Sequence, residues 1–130
     1  MMKLALVLLT AIMLIGAVAC SDDGPKVVTL EADDTGKTIK LSSEDTLDVV
    51  LEGNPSTGYT WEIEETENPK LTLMGEPQFE AGAQIPGAGG EFTFRFEVAE
   101  SGTGNLRLIY HRTWETEPPA RTFEVTIEID

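Results

Sequence analysis

The segment EFTFRFEV, from Glu91 to Val98, alternates apolar and polar residues without interruption. Successive side chains of a β-strand point to opposite faces, so Phe92, Phe94 and Phe96 share one face and the charged residues share the other. The same alternation recurs in RTFEVTIEI, residues 121–129. No window of the chain downstream of residue 27 shows a sustained helical period. These patterns predict strands that are buried on one side and solvated on the other.

Shorter segments with strand character complete the series, separated by turn formers such as DDTG, ENP, AGAQIPGAGG and ESGTG. The predicted strands are 27–32, 37–41, 47–51, 59–63, 71–74, 91–98, 106–110 and 121–129. Short strands at near-regular spacing are typical of an antiparallel β-sandwich or barrel. We therefore predict one all-β domain of seven or eight strands over residues 27–130, large enough to bury a core without disulfides.

The first 19 residues are predicted to be a cleaved signal peptide. A short basic start, Met1 to Lys3, precedes an apolar run that ends at Ile15. This run is shorter than the roughly 20 residues that a membrane-spanning helix needs. The small residues that follow lead to Cys20, the single cysteine of the chain. We therefore expect the protein to be exported.

The segment before Cys20 resembles the lipobox of bacterial lipoproteins, in which this cysteine becomes the acylated N-terminus. Ala17 stands where the lipobox usually has Leu, and ordinary cleavage after Ala19, leaving a free thiol, is the alternative. The resemblance implies a lipoprotein of the bacterial cell envelope, in the outer membrane or facing the periplasm, and Ser21 after the cysteine resembles outer-membrane signals. Residues 20–26 would form the tether of a monomeric domain.

The charge of the chain argues against nucleic acid as a partner. The chain carries 23 acidic and 9 basic residues, a formal net charge of −14. A polyanion is repelled by phosphates and gains nothing from counterion release. We interpret the acidity mainly as a source of solubility.

The inventory of catalytic groups is small. His111 is the only histidine, which excludes a two-histidine zinc site, and we predict that it lies at a strand end. Asp34-Thr35-Gly36 is also a motif of aspartic proteases, in which two such loops bring together two carboxylates that share a proton, and a chain of this size could supply one loop to a homodimer. Asp, Thr and Gly are equally the residues that an ordinary turn selects, and we favour the turn. The sequence predicts no enzyme, cofactor or metal site.

The segment GNPSTGYTW, from Gly53 to Trp61, is a compact loop between two strands. Pro55 fixes a backbone angle, Ser56 and Thr57 supply hydroxyls, and Gly58 permits a left-handed conformation. Trp61 is two residues after Tyr59 and therefore lies on the same face of the predicted strand, so we assign Trp61 to the core. Taken alone, this loop is more simply a structural turn.

Three motifs in order, NPSTGYTW, GAGG and YHRTWE, resemble the chagasin family, inhibitors of papain-like cysteine proteases. The family has an immunoglobulin-like β-sandwich with an N-P-T-T-G-Y/F loop, a G-x-G-G loop and an R-P-W/F loop. The resemblance covers nearly all of the chain from Val27 onward. It implies a reversible, non-covalent inhibitor whose three loops occlude the protease cleft. An immunoglobulin-like adhesion or scaffold domain of the cell envelope is the alternative.

The resemblance also implies a role for each loop, carried over position by position. The first loop would enter the cleft over the catalytic residues of the protease, and the other two would lie on either side of it. The predicted binding residues are Asn54, Pro55, Ser56, Thr57, Gly58 and Tyr59, then Gly87, Ala88, Gly89 and Gly90, then Arg112, Thr113 and Trp114. Ser56 replaces a family Thr but keeps its hydroxyl. Thr113 replaces a family Pro, at a cost of ~0.4 to 1 kcal/mol in preorganisation.

Overall fold

The computed structural model describes residues 24–64 and 70–130, and these two ranges contain nine strands and two short 3-10 helices. The strands are β1 (Val27–Leu30), β2 (Thr38–Leu41), β3 (Thr46–Gly53), β4 (Thr60–Glu64), β5 (Leu71–Leu73), β6 (Gln78–Ala81), β7 (Gly90–Val98), β8 (Gly102–His111) and β9 (Arg121–Ile129). The 3-10 helices cover Ala32–Asp34 and Pro55–Thr57. No helix within the described ranges is long and apolar enough to cross a bilayer. The predicted signal peptide and Cys20 lie outside the described residues.

The strands form two sheets that pack face to face. One sheet has the order β1-β3-β7-β5, with β6 also paired to β7, and the other has the order β2-β9-β8-β4. Apolar side chains from both sheets belong to one buried cluster, which includes Val49, Phe94, Leu108 and Ile127. The predicted all-β sandwich is therefore confirmed.

Two details of the predicted sandwich need correction. The described residues contain nine strands rather than seven or eight, because the short segment Gln78–Ala81 pairs with β7 although all four of its residues are exposed. The sheets are also mixed: β1 runs parallel to β3, and β2 runs parallel to β9. A strand buried on one face has the same sequence pattern in either direction, so the pattern could not distinguish these edge pairings.

Several strand limits also differ from the prediction. The first strand ends at Leu30 rather than Ala32, because Glu31 begins the 3-10 turn over Ala32–Asp34. The predicted turn at residues 100–104 is shorter, since β8 already begins at Gly102 and pairs there with Ile129. These shifts leave the inward faces of the strands unchanged.

The core consists of the residues that the alternation placed inward. Phe92, Phe94 and Phe96 are all buried, as is every second residue of β9 from Phe123 to Ile129. Full burial of one such side chain stabilises the fold by about 1.5 to 3 kcal/mol relative to leaving it exposed. Trp61 is 4% exposed, which confirms its assignment to the core.

The register of the strands places three connections at one end of the sandwich. Gly53 at the end of β3 pairs with Gly90 at the start of β7, and Thr60 at the start of β4 pairs with His111 at the end of β8. The opposite end carries the N-terminus of the domain, since Val27 pairs with Thr46 at the start of β3. Because β3 has eight residues, about 25 Å of strand separates the two ends.

Candidate functional site

Three loops meet at the end of the sandwich where β3 and β8 finish. The first loop comprises residues 54–59, the second loop residues 82–89 and the third loop residues 112–120. They connect β3 to β4, β6 to β7 and β8 to β9, so both sheets support this end. The predicted binding residues of the second and third motifs lie in these loops apart from Gly90, which is the first residue of β7.

The first loop holds its own shape through Asn54. Pro55–Thr57 form one 3-10 turn, and the side chain of Asn54 accepts a hydrogen bond from the backbone N of Ser56 (3.0 Å). The carbonyl of Asn54 accepts from the backbone N of Thr57 (3.1 Å) and from its hydroxyl (2.6 Å). Gly58 closes the turn at a φ of 87°, in the left-handed region that favours glycine.

The hydroxyl groups of Ser56 and Thr57 both donate their protons within the first loop. Ser56 Oγ donates to Asn54 Oδ1 (2.6 Å), and Thr57 Oγ1 donates to the carbonyl of Asn54. A hydroxyl has one proton and two acceptor lone pairs. The loop therefore presents hydrogen-bond acceptors at Ser56 and Thr57, and it suits a partner that supplies N–H donors.

The second loop is joined to the first by a side chain of the first. Its tip is a turn in which the backbone N of Ala88 donates to the carbonyl of Ile85 (3.2 Å), with Pro86 and Gly87 at the central positions. Gly87 has a φ of 79°, as expected for the third residue of a type II turn. Its carbonyl accepts from Asn54 Nδ2 (3.0 Å). The turn leaves the side chain of Ile85 66% exposed.

The two glycines at the end of this motif are required by close approaches of the backbone. A Cβ at Gly89 would lie 3.2 Å from the carbonyl oxygen of Gly53, and a Cβ at Gly90 would collide with the backbone of Glu80 in the neighbouring strand β6. Glycine at these positions lets the second loop run directly beside the start of the first. The prediction that they bind a protease stays a prediction.

The third loop contacts the first loop through Arg112 and Trp114. Arg112 Nε donates to the carbonyl of Thr57 (3.0 Å), and its guanidinium lies 4.5 Å from the centre of the Tyr59 ring. A further bond from Arg112 Nη1 to Glu115 (3.2 Å) spans the turn that contains Thr113. Much of the bonding capacity of Arg112 is thus used within the protein, which links the third loop to the first.

Trp114 combines an exposed ring with a contact to Gly58. The residue is 69% exposed, the largest value among the exposed large apolar residues in the described part of the chain. A Cβ at Gly58 would lie 2.5 Å from Cη2 of Trp114, so the indole ring rests against the glycine. Trp114 therefore extends the surface of the first loop, in contrast to the buried Trp61.

A stack of aromatic rings supports the three loops from below. Tyr59 stacks on Tyr110 with ring centres 5.2 Å apart, and Trp61 lies on Tyr110 at 5.1 Å. Arg121 sits 5.2 Å from the Trp61 ring centre and donates to the carbonyl of Glu52 (2.9 Å). Neither Tyr110 nor Arg121 belongs to the predicted set of binding residues. Their positions at the end of β8 and the start of β9, next to the third loop, are the signal that could have identified them.

The other candidates for chemistry have structural roles. Asp34 accepts from the Lys37 ammonium (2.8 Å) and from the backbone N of Glu31 (2.8 Å), so the Asp34–Gly36 segment is the predicted turn. The hydrogen bond from Lys37 lowers the pKa of the Asp34 carboxyl, which favours its ionised form. His111 ends β8, as predicted, with Nε2 3.5 Å from Glu62 Oε1. In the described ranges, no group of three or more Asp, Glu, His or Cys residues is arranged to hold a metal ion.

Comparison with known proteins places these loops in a wider context. Residues 40–128 match the chagasin family of peptidase inhibitors, I42. Amoebiasin-1 of Entamoeba histolytica is 27% identical over 105 residues, which cover 78% of this chain and 99% of amoebiasin-1. The crystal structure of the cysteine protease inhibitor EhICP2 from Entamoeba histolytica has a TM-score of 0.71 at 25% identity, covering 82% of this chain and 97% of that one.

A third likeness concerns the fold alone. PbICP-C, solved in complex with falcipain-2, has a TM-score of 0.54 at 23% identity, covering 81% of this chain and 99% of that one. Residues 40–128, the range that matches the family, contain all three loops.

Proposed function

The chain belongs to the chagasin family of peptidase inhibitors and is a cysteine protease inhibitor, and we propose that its three loops close the cleft of a papain-like enzyme. One observation carries the loop assignment: three loops from two sheets form a single surface, joined by hydrogen bonds from Asn54 to Gly87 and from Arg112 to Thr57. The family is one of inhibitors rather than of enzymes, and the proposed blockade is steric.

We propose that the first loop enters the cleft and faces the catalytic groups. It is narrow, because Pro55–Thr57 form a single turn, and it offers acceptor oxygens at Ser56 and Thr57. A papain-like active site contains N–H donors, among them the imidazole that activates the catalytic thiol. Non-covalent and reversible binding follows, since the loop brings hydrogen-bonding groups and no reactive one.

The second and third loops are proposed to contact the walls of the cleft. Trp114 is the best candidate for the main energetic contact, because Trp is enriched among the residues that dominate binding energy and this ring is 69% exposed. Ile85, 66% exposed at the tip of the second loop, adds an apolar contact on the other side. Arg112 contributes mainly by holding the third loop against Thr57 and Tyr59.

The hydrogen bonds between the loops support tight binding for a physical reason. Association is weakened by the entropy lost when mobile loops become ordered, about 0.5 to 1.5 kcal/mol for each immobilised long side chain. Here Asn54, Arg112 and Tyr59 already have partners in the free protein. The surface is therefore largely preformed before a protease arrives.

A pair of matched charge insertions tests the loop assignment. Ser56→Arg places a long cation in the first loop, and Ser43→Arg makes the same change in an exposed turn at the opposite end of the sandwich. We expect the purified protein to inhibit papain, and Ser56→Arg to raise the inhibition constant at least about 30-fold, an effect typical of disrupting a main contact. Ser43→Arg should inhibit like the wild type. Equal inhibition by both variants would overturn the assignment, and no inhibition by micromolar wild-type protein would overturn the function.

We further propose that the protein is exported and anchored by a lipid on Cys20, with residues 1–19 removed. The motif around Cys20 supports this proposal. The fold adds a geometric argument, because the backbone N of Lys26 donates to buried Asp45 (3.2 Å) and its carbonyl accepts from Thr46 (2.9 Å). The tether would thus join the sandwich at the end opposite the three loops, which would face away from the membrane. Cys20→Ser should release the protein from the membrane fraction, and retention of this variant would refute the anchor.

A further inference from the structure

Tyr110 connects the core of the sandwich to the first loop. It is the next-to-last residue of β8 and only 8% exposed, with its ring between those of Tyr59 and Trp61. Its hydroxyl oxygen accepts a hydrogen bond from the backbone N of Asn54 at 2.7 Å. A side chain held by packing on two sides therefore directs its one polar atom at the first residue of the loop.

The neighbouring backbone leaves the space that this contact needs. A Cβ at Gly53 would lie 2.9 Å from Cε1 of Tyr110 and 2.8 Å from Cε2 of Phe92, so only glycine lets the tyrosine ring pass beneath the chain. The β3–β7 register ends at the pair Gly53 and Gly90, one residue before Asn54. Since the ladder stops there, the hydroxyl of Tyr110 serves as the acceptor for the next amide.

Asn54 in turn determines the rest of the first loop. Its carbonyl accepts from both the backbone N and the hydroxyl of Thr57, and its side-chain oxygen accepts from both the backbone N and the hydroxyl of Ser56. Its side-chain nitrogen donates to the carbonyl of Gly87 in the second loop. Whatever fixes the backbone of Asn54 therefore fixes the shape of the first loop and its link to the second.

We propose that Tyr110 is a positioning residue for protease inhibition, whose hydroxyl holds the first loop in its binding shape from beneath without touching the protease. This inference rests on the proposed function and adds to it a residue outside the predicted set of binding residues. Without the hydroxyl, the loop occupies other shapes for part of the time, and the apparent affinity falls in proportion to the fraction that can bind. This loss of affinity should appear as slower association, because a loop that is already bound has the correct shape.

Tyr110→Phe is the direct test, since it removes the hydroxyl and keeps the ring packed between Tyr59 and Trp61. We expect its inhibition constant for papain to rise by up to about tenfold, the limit set by one typical hydrogen bond when the loop without it is mostly in other shapes. The change should come from slower association, with the dissociation rate close to that of the wild type. In the free protein, the amide hydrogen of Asn54 should exchange faster with solvent than in the wild type.

Ile129→Val is the matched control for a loss of stability alone. Ile129 is 6% exposed at the far end of β9, and this substitution lowers stability without reaching the loops. This variant should leave unchanged both the inhibition constant and the rate at which the amide hydrogen of Asn54 exchanges with solvent. The inference is overturned if Tyr110→Phe inhibits like the wild type, if its whole loss lies in faster dissociation, or if both variants weaken inhibition alike. If the wild-type protein fails to inhibit papain, the proposed function is refuted, and this inference is refuted with it.

Discussion

Gly58→Ala tests whether the first and third loops form one surface. Gly58 has a φ of 87°, where an L-residue is strained by roughly 1 to 2 kcal/mol. The added Cβ would also lie 2.5 Å from Cη2 of Trp114, well inside a van der Waals contact. Because the indole is 69% exposed, it can move away into solvent rather than unfold the loop. We therefore expect a modest loss of stability and a displaced Trp114.

The effect on inhibition follows from the role proposed for Trp114. If this ring contributes 2 kcal/mol, as main contacts at interfaces do, its displacement raises the inhibition constant by about 30-fold. The assay is titration of papain with the wild type, Gly58→Ala, Trp114→Ala and the double variant. In the Trp114→Ala background, Gly58→Ala should have a much smaller effect, because no ring remains to be displaced. Effects that simply multiply would refute the reasoning, since residues in contact are expected to show coupling.

Two further predictions concern the second loop and the turn before β2. Ile85→Ser should leave the melting temperature unchanged and weaken papain inhibition several-fold. The expected loss is about 1 kcal/mol, because an exposed apolar side chain becomes buried on binding. An unchanged inhibition constant would show that Ile85 is not part of the binding surface. Asp34→Asn should lower the free energy of unfolding by roughly 0.5 kcal/mol at pH 7, because the uncharged amide loses the ion pair with Lys37. The lowered pKa of Asp34 means that its ionised form stabilises the fold above about pH 4 and loses this effect as the pH falls further. Urea unfolding should therefore show the difference from wild type narrowing below pH 4, and a constant difference would contradict this.

The alternation of residues was enough to predict the layers of the fold. It placed Phe92, Phe94 and Phe96 in the core, and it assigned Trp61 to the same core. Both results depend on side-chain direction, which a period of two residues encodes directly. Strand β6 escaped prediction because it is short and exposed, and its strand conformation comes from pairing with β7 across the loop of residues 82–89.

The sequence predicted the motifs of the site but not the hydrogen bonds that join them. The sequence indicated which loops to consider, whereas the bonds of Asn54 to Gly87 and of Arg112 to Thr57 join residues 33 and 55 positions apart. Arg112 was expected to grip a protease, and its position against Thr57 and Tyr59 shows a role inside the protein as well. Tyr110 lies within the predicted strand 106–110, but its hydroxyl bond to Asn54 depends on how β8 of one sheet packs against the end of β3 in the other.

The proposed function requires that the first loop cover the catalytic thiol of a papain-like protease without reacting with it. The most direct measurement is the rate at which a peptide-based alkylating reagent modifies the active-site thiol of papain, with and without saturating inhibitor. We predict that the inhibitor slows alkylation in proportion to the fraction of papain bound, that Ser56→Arg protects only at much higher concentration, and that Ser43→Arg protects like the wild type. Inhibition of papain with its thiol still fully open to the reagent would contradict the account.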